Sequence, residues 1–167
     1  MHTKGHEYAV QVTWTGNQGS GTSSYQGYSR AHVINAPGKA PIEGSSDPAF
    51  RGDPTRWNPE ELLLAALGAC HKLWYLGLCA EAGVVVLAYE DDAQGTMVVE
   101  RDGGGQFTSV TLRPKVLLAP GSDVHTARVL HDMAHEKCFI ARSVNFPVHH
   151  QAQLSFAPNE SNTGCPQ

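Results

Sequence analysis

Apolar and polar positions alternate over residues 7–14, Glu-Tyr-Ala-Val-Gln-Val-Thr-Trp, so that Tyr8, Val10, Val12 and Trp14 share one face with the two-residue period of a half-buried strand. Gly and Ser crowd the stretch from Gly16 to Ser24 and predict a turn-rich connection. The aromatic and β-branched residues from Tyr25 to Asn35 predict a second strand or strand pair, and the Pro- and Gly-rich segments that follow, up to Pro48, predict irregular backbone. At Asn58 the pattern changes. Asn58 reads as an N-cap, Pro59 as the first helical residue, and Glu60 and Glu61 as carboxylates facing the positive helix end. This helix is expected to run to about Ala82 and stop at Gly83, and its side chains, from Leu62 through Leu67 and Leu73 to Leu78, are apolar nearly all round, which predicts burial on most sides. Strands are then expected over 84–91, 95–101 and 106–118, the last bent at Pro114. A second helix follows, capped by Ser122 or Asp123 and ending near Lys137, and a closing strand covers 144–157. The order of elements predicts an α+β fold with both helices packed on antiparallel sheet, in a single domain over residues 1–157 with a flexible tail over 158–167.

A length of 167 residues with 41% apolar content suits one domain with an ordinary core. Twelve Lys and Arg against 16 Asp and Glu, for a net charge of −4, provide no basic surface for nucleic acid or an anionic membrane. The N-terminal Met-His-Thr-Lys-Gly-His-Glu lacks a basic segment followed by an apolar run, and the long helix is polar at its ends and interrupted by His71 and Lys72. A cytoplasmic protein with reduced thiols, and no membrane or nucleic-acid partner, is therefore expected.

Four cysteines, at 70, 79, 138 and 165, form no CxxC pair. Cys70 and Cys79 stand roughly 13 Å apart along one helix and about half a turn out of phase, so their sulfurs cannot bond. A packed helix pair could bring Cys138 to Cys70. Cys79 reads as a small core residue and Cys165, in the polar tail, as a free thiol. The polar triplet Cys70-His71-Lys72 inside an apolar helix points to a pocket, because buried polar groups need partners. Nine histidines keep metal chemistry open: His131, His135 and Cys138 fall at i, i+4 and i+7 and could form a tetrahedral site with Cys70 or His71. The plainer reading makes His131 a surface residue and His135 a cation at the helix end, while His149 and His150 alternate sides of a strand. Trp57, Trp74 and Tyr75 could line an apolar ligand pocket or serve as core aromatics.

The string Asn58-Pro59-Glu60-Glu61-Leu62-Leu63-Leu64-Ala65-Ala66-Leu67-Gly68-Ala69-Cys70 resembles the signature that opens the central helix of the OsmC/Ohr family of thiol peroxidases, and Ala134-His135-Glu136-Lys137-Cys138 resembles the end of that family's second helix. The resemblance covers nearly the whole chain except the tail. It implies an OsmC-like fold in an intertwined homodimer, with Cys70 as the peroxidatic cysteine, Cys138 as the resolving cysteine and Glu60 as the carboxylate of the active site. It also implies a small-molecule peroxide as substrate, bulky organic hydroperoxides above hydrogen peroxide, and a dithiol reductant, of lipoyl type in family members; no cofactor or metal is expected. The thiolate would attack the O–O bond, leaving a sulfenic acid that Cys138 condenses with.

Family members set an arginine, tied to that carboxylate, beside the thiolate. The matching slot here holds Ala49, which leaves Arg51 as the expected substitute, with Arg56 and Arg30 behind it. Cys138-Phe139 and Cys70-His71 also replace the family's usual Cys-Pro and Cys-Phe. Glu60 and Cys70 lie roughly 15 Å apart along a straight helix. The expectation is therefore that Glu60 and its arginine complete the site of the other subunit. The alternative function is a metal- or hydrophobic-ligand-binding OsmC-like protein without peroxidase activity.

Overall fold

The computed structural model describes residues 4–158, so the expectations for the end of the tail and for Cys165 lie outside the described residues. The chain divides into two compact units, Met1–Leu63 and Leu64–Gln167.

The first unit is built on a three-stranded antiparallel sheet, β1 (Gln11–Trp14), β2 (His32–Asn35) and β3 (Ile42–Gly44), in that order. The strand expected from Tyr25 begins only at His32. The aromatic residues before it are used otherwise: the Arg30 guanidinium lies 4.3 Å from the ring centre of Tyr25 and 4.2 Å from that of Tyr28, and donates to both their carbonyls at 2.7 Å. Conversely, β3 forms in a segment expected to be irregular, because Ile42 pairs with Ile34 on the open side of β2. Gly16 is required by a close backbone approach, since a Cβ there would lie 1.8 Å from the Ser29 carbonyl oxygen. A 3-10 turn at Pro48–Phe50 is capped by Asp47 and followed by Arg51 at φ 65°.

Helix α1 (Pro59–Glu81) starts where the sequence predicts. Its cap is reciprocal: the Glu61 N–H donates to Asn58 Oδ1 at 2.8 Å, and the Asn58 N–H donates to Glu61 Oε2 at 3.2 Å. Gly83, at φ +72°, turns the chain out of the helix.

The second unit continues with β4 (Val86–Asp91), β5 (Gln94–Val99), β6 (Gly105–Leu112), β7 (Pro114–Leu118), α2 (Val124–Lys137), β8 (Val148–His150) and β9 (Gln153–Phe156). The strand expected over 106–118 is broken rather than bent. Arg113 separates β6, which pairs with β5, from β7, which pairs with β4, and its N–H leaves the ladder to donate to Asp91 Oδ1 at 2.7 Å. The closing segment is likewise two strands. β8 runs parallel to β6, and β9 parallel to β7, so the two sheets β5-β6-β8 and β4-β7-β9 are mixed and not purely antiparallel. The crossover through α2 makes this possible, because parallel neighbours need a long connection.

The core of this unit joins Tyr75, Leu78 and Cys79 of α1 to Val116 and Leu118 of β7 and to Ala127, Leu130 and Ala134 of α2. Burial of α1 is narrower than expected. Leu67, His71, Tyr75 and Leu78 form its buried line at helical spacing, whereas Leu73 is 66% exposed and Ala65, Ala69, Gly77 and Ala80 lie open with it. One chain offers α1 cover on one side only. By length and apolar composition α1 could cross a membrane, contrary to what its charged ends and His71 suggest in sequence. Its packing against β7 and α2 makes it a core helix.

Candidate active site

Helix α2 begins at the Asp123 cap, whose carboxylate accepts from the His125 N–H at 2.9 Å, and ends at Cys138, whose N–H donates to the His135 carbonyl at 3.3 Å. Ala127, Leu130, His131 and Ala134 are its buried positions, and Cys138 continues that face by one turn. Cys138 is consequently 1% exposed, while Cys70 on α1 is half-buried. The two thiols meet. Burial pushes the Cys138 thiol up to about 11, and its hydrogen-bonding neighbour Cys70 pushes in the same direction, opposed by the Ala141 N–H, which donates to Cys138 Sγ at 3.4 Å. Cys70, Cys79 and Cys138 are all free thiols. Cys79 is a core residue beside Tyr75, and burial pushes its thiol up as well.

The same two helices carry a histidine cluster, of which the sequence named His71, His131 and His135 as possible metal companions but left out His150. His71 of α1, His131 and His135 of α2 and His150 of β8 gather their rings together. The Nε2 of His71 and Nδ1 of His131 are hydrogen-bonded at 3.0 Å; the His150 ring centre lies 5.5 Å from that of His71, 6.0 Å from that of His131 and 5.6 Å from that of His135. His131 is not the surface residue expected. It is 1% exposed and stacked on Tyr75 with ring centres 3.7 Å apart, because it falls in phase with Ala127 and Ala134 on the buried face of α2. Burial holds His71 down at about 4 and His131 at about 3, and the neighbouring histidines add to both effects. Burial also lowers His150, against the opposing pull of Asp132. The available signal was the pairing of a histidine inside an apolar helix with two histidines at i, i+4. The tetrahedral set considered from the sequence is not assembled: no group of three or more His, Cys, Asp or Glu among the described residues is arranged to hold a metal ion.

Tyr75 is fully buried in the core, and Trp74 packs edge-on against Phe139 with ring centres 5.5 Å apart. Glu60 and the three arginines belong to the first unit. Glu60 is partly buried, and its Oε2 has no hydrogen-bond partner among the described residues. Arg30 is held by the Tyr25 and Tyr28 carbonyls, and Arg56 lies 3.7 Å from both Glu43 and Asp53. Arg51 is exposed and makes no ion pair among the described residues.

With this arrangement in view, the relatives can be placed. The model of the OsmC-like protein family matches residues 52–152, from the loop before α1 through β8. The chain belongs to the OsmC/Ohr family. Among solved structures, an OsmC-like protein of unknown function from Vibrio cholerae is 32% identical with a TM-score of 0.79, covering 89% of this chain and 99% of its own. An organic hydroperoxide resistance protein from Elizabethkingia anophelis is 19% identical with a TM-score of 0.63, covering 91% of this chain and 99% of its own. The protein OhrB of Bacillus subtilis, also named for organic hydroperoxide resistance, is 23% identical with a TM-score of 0.59, covering 89% and 98%. At these last identities the likeness is one of fold. No protein of curated function matches the chain. The OsmC/Ohr family includes peroxidase-related members, and this OsmC-like chain shares their α+β architecture.

Proposed function

We propose that this OsmC-like protein is a cysteine-based peroxidase that reduces organic hydroperoxides in oxidative-stress defence. The observation that carries the reading is the meeting of two free thiols of unequal access, half-buried Cys70 and buried Cys138, from separate helices. Access assigns the roles. A peroxide reaches Cys70 first; the Cys70 thiolate attacks one peroxide oxygen, the O–O bond breaks, the alkoxide leaves as alcohol after protonation, and Cys70 is left as sulfenic acid. The Cys138 sulfur then displaces hydroxide to form the disulfide, which a dithiol reductant, of the lipoyl type used in the family, reopens. The apolar stretch of α1 around Cys70 favours a bulky organic peroxide over hydrogen peroxide. A cytoplasmic setting suits the cycle, since it keeps Cys70 reduced between turnovers. Mass spectrometry after one equivalent of cumene hydroperoxide tests this directly: a Cys70–Cys138 disulfide is expected, and unchanged thiols overturn the reading.

Glu60 and Arg51 are proposed to complete the site from a second copy of the chain. Support comes from the unpartnered Glu60 oxygen and from Arg51 being uncommitted where Arg30 and Arg56 are engaged. The uncovered apolar side of α1, together with exposed Val85, Leu87, Val98 and Val99, is surface that a homodimer would bury. Mixing inactive Cys70→Ser and Glu60→Ala proteins checks the arrangement. Random exchange is expected to restore on the order of a quarter of wild-type activity, because half the dimers then carry one intact site; no recovery in verified heterodimers removes the shared site.

A further inference from the structure

Disulfide formation asks a buried thiol to give up a proton. Cys138 is 1% exposed and burial makes its ionisation harder, so bulk water is poorly placed to take that proton. The histidine cluster offers an acceptor. His135 stands three residues before Cys138 on the same face of α2, one turn away, where side chains are neighbours, and its Nδ1 is buried without a hydrogen-bond partner among the described residues. His71 and His131 are turned to each other through their 3.0 Å hydrogen bond. On its other side His135 faces His150, ring centres 5.6 Å apart, and His150 Nε2 lies 3.3 Å from Asp132 Oδ1, on a side chain 71% exposed.

Resting on the peroxidase reading, we propose that His135 accepts the proton of Cys138 as the disulfide forms and hands it to the departing hydroxide. In this step the Cys138 sulfur bonds to the Cys70 sulfur while the Cys70 S–O bond breaks. The Cys138 sulfur is oxidised, the Cys70 sulfur is reduced by the same amount, and hydroxide leaves. The proton held on His135 passes to that hydroxide, so one water is released and His135 ends neutral. The charged and titratable groups beside His135 and His150 are His71 from α1, His131 and Asp132 from α2 and His149 from β8, while Tyr75 and Arg128 lie by His131. A neutral imidazole nitrogen accepts a proton, and His135 Nδ1 has no other hydrogen-bond partner among the described residues.

The test is single turnover of the full-length protein with cumene hydroperoxide, following Cys70 sulfenic acid with a dimedone trap and the disulfide by mass spectrometry. His135→Gln is expected to form sulfenic acid at the wild-type rate but to close the disulfide at least tenfold more slowly, in line with the ~10²–10⁴-fold range of general-base catalysis. Its closing rate should rise about tenfold per pH unit between pH 7 and 9, as free hydroxide replaces the lost base, and added imidazole should restore speed. His149→Gln, on the exposed side of β8, should behave as wild type. His135→Asn repeats the test if the glutamine variant does not fold. Wild-type closure in a folded His135 variant overturns the shuttle while leaving the peroxidase reading intact. A wild-type protein that forms no sulfenic acid overturns the peroxidase reading itself.

Discussion

Peroxide consumption is expected to fall to the background of an ordinary exposed thiol when Cys70 is replaced by serine, a loss of at least ~10³-fold, since in the proposed mechanism the Cys70 thiolate is the nucleophile that cleaves the O–O bond. Cys138→Ser should fail differently. Its half-buried Cys70 can still be oxidised, so one equivalent of peroxide is consumed rapidly and turnover then stops at the sulfenic acid, which excess peroxide drives to sulfinic acid. Serine at 138 also relieves little packing, because oxygen replaces sulfur at a position where the Ala141 N–H is still available to donate. Rapid-mixing peroxide assays on the two variants separate these outcomes. If both lose activity alike with no initial burst, the division of labour drawn from their unequal burial is wrong. If Cys70→Ser remains active, chemistry at this thiol pair is excluded altogether.

The second large effect is on stability in acid. His71 and His131 are held neutral well below the usual histidine value of 6.5, at about 4 and about 3, chiefly by burial. The unfolded chain has no such burial and takes up these protons near 6.5, so below that pH it binds more protons than the folded chain. Stability is therefore complete above pH 6.5 and is lost as pH falls toward 4. Each group contributes up to about 1.4 kcal/mol per pH unit in that window. The two rings share one hydrogen bond and titrate as a pair, so the combined loss is several kcal/mol, a large share of the ~5–15 kcal/mol that folded domains possess. Urea unfolding at pH 7.5, 6.5, 5.5 and 4.5 should show little change between the first two and a steep fall thereafter. The double variant His71→Asn, His131→Asn should flatten that slope. Undiminished stability of the wild type through pH 4.5 is incompatible with a buried neutral pair.

Several parts of the fold are legible in local sequence because local physics decides them. Asn58-Pro59-Glu60-Glu61 announces the start of α1 since a cap, a fixed φ and two carboxylates all act within one turn, and the reciprocal Asn58–Glu61 hydrogen bonds are the result. Asp123 marks the start of α2 for the same reason. Strand partners are less readable. Pro114 signals locally that the run through Arg113 bends but not that it breaks, because the break depends on Asp91, 22 residues away, accepting the Arg113 N–H. The parallel neighbours β8 and β9 are similarly set by which sheet edge the chain meets after α2.

The site divides along the same line. Sequence alone determined the helix that presents Cys70 and the helix that ends at Cys138, because those follow from periodicity and capping, while the family resemblance singled out the two cysteines. Tertiary structure decided which thiol is open and which is closed, since access depends on the layers packed over each helix. It also turned His131 from an expected surface residue into the centre of a buried cluster, by joining His71, His131, His135 and His150 from three elements. Helical spacing put His131 and His135 on one face and offered His71 as a companion, but it could not supply His150, because that proximity is created by the packing of α1, α2 and β8 and by no property of the intervening chain.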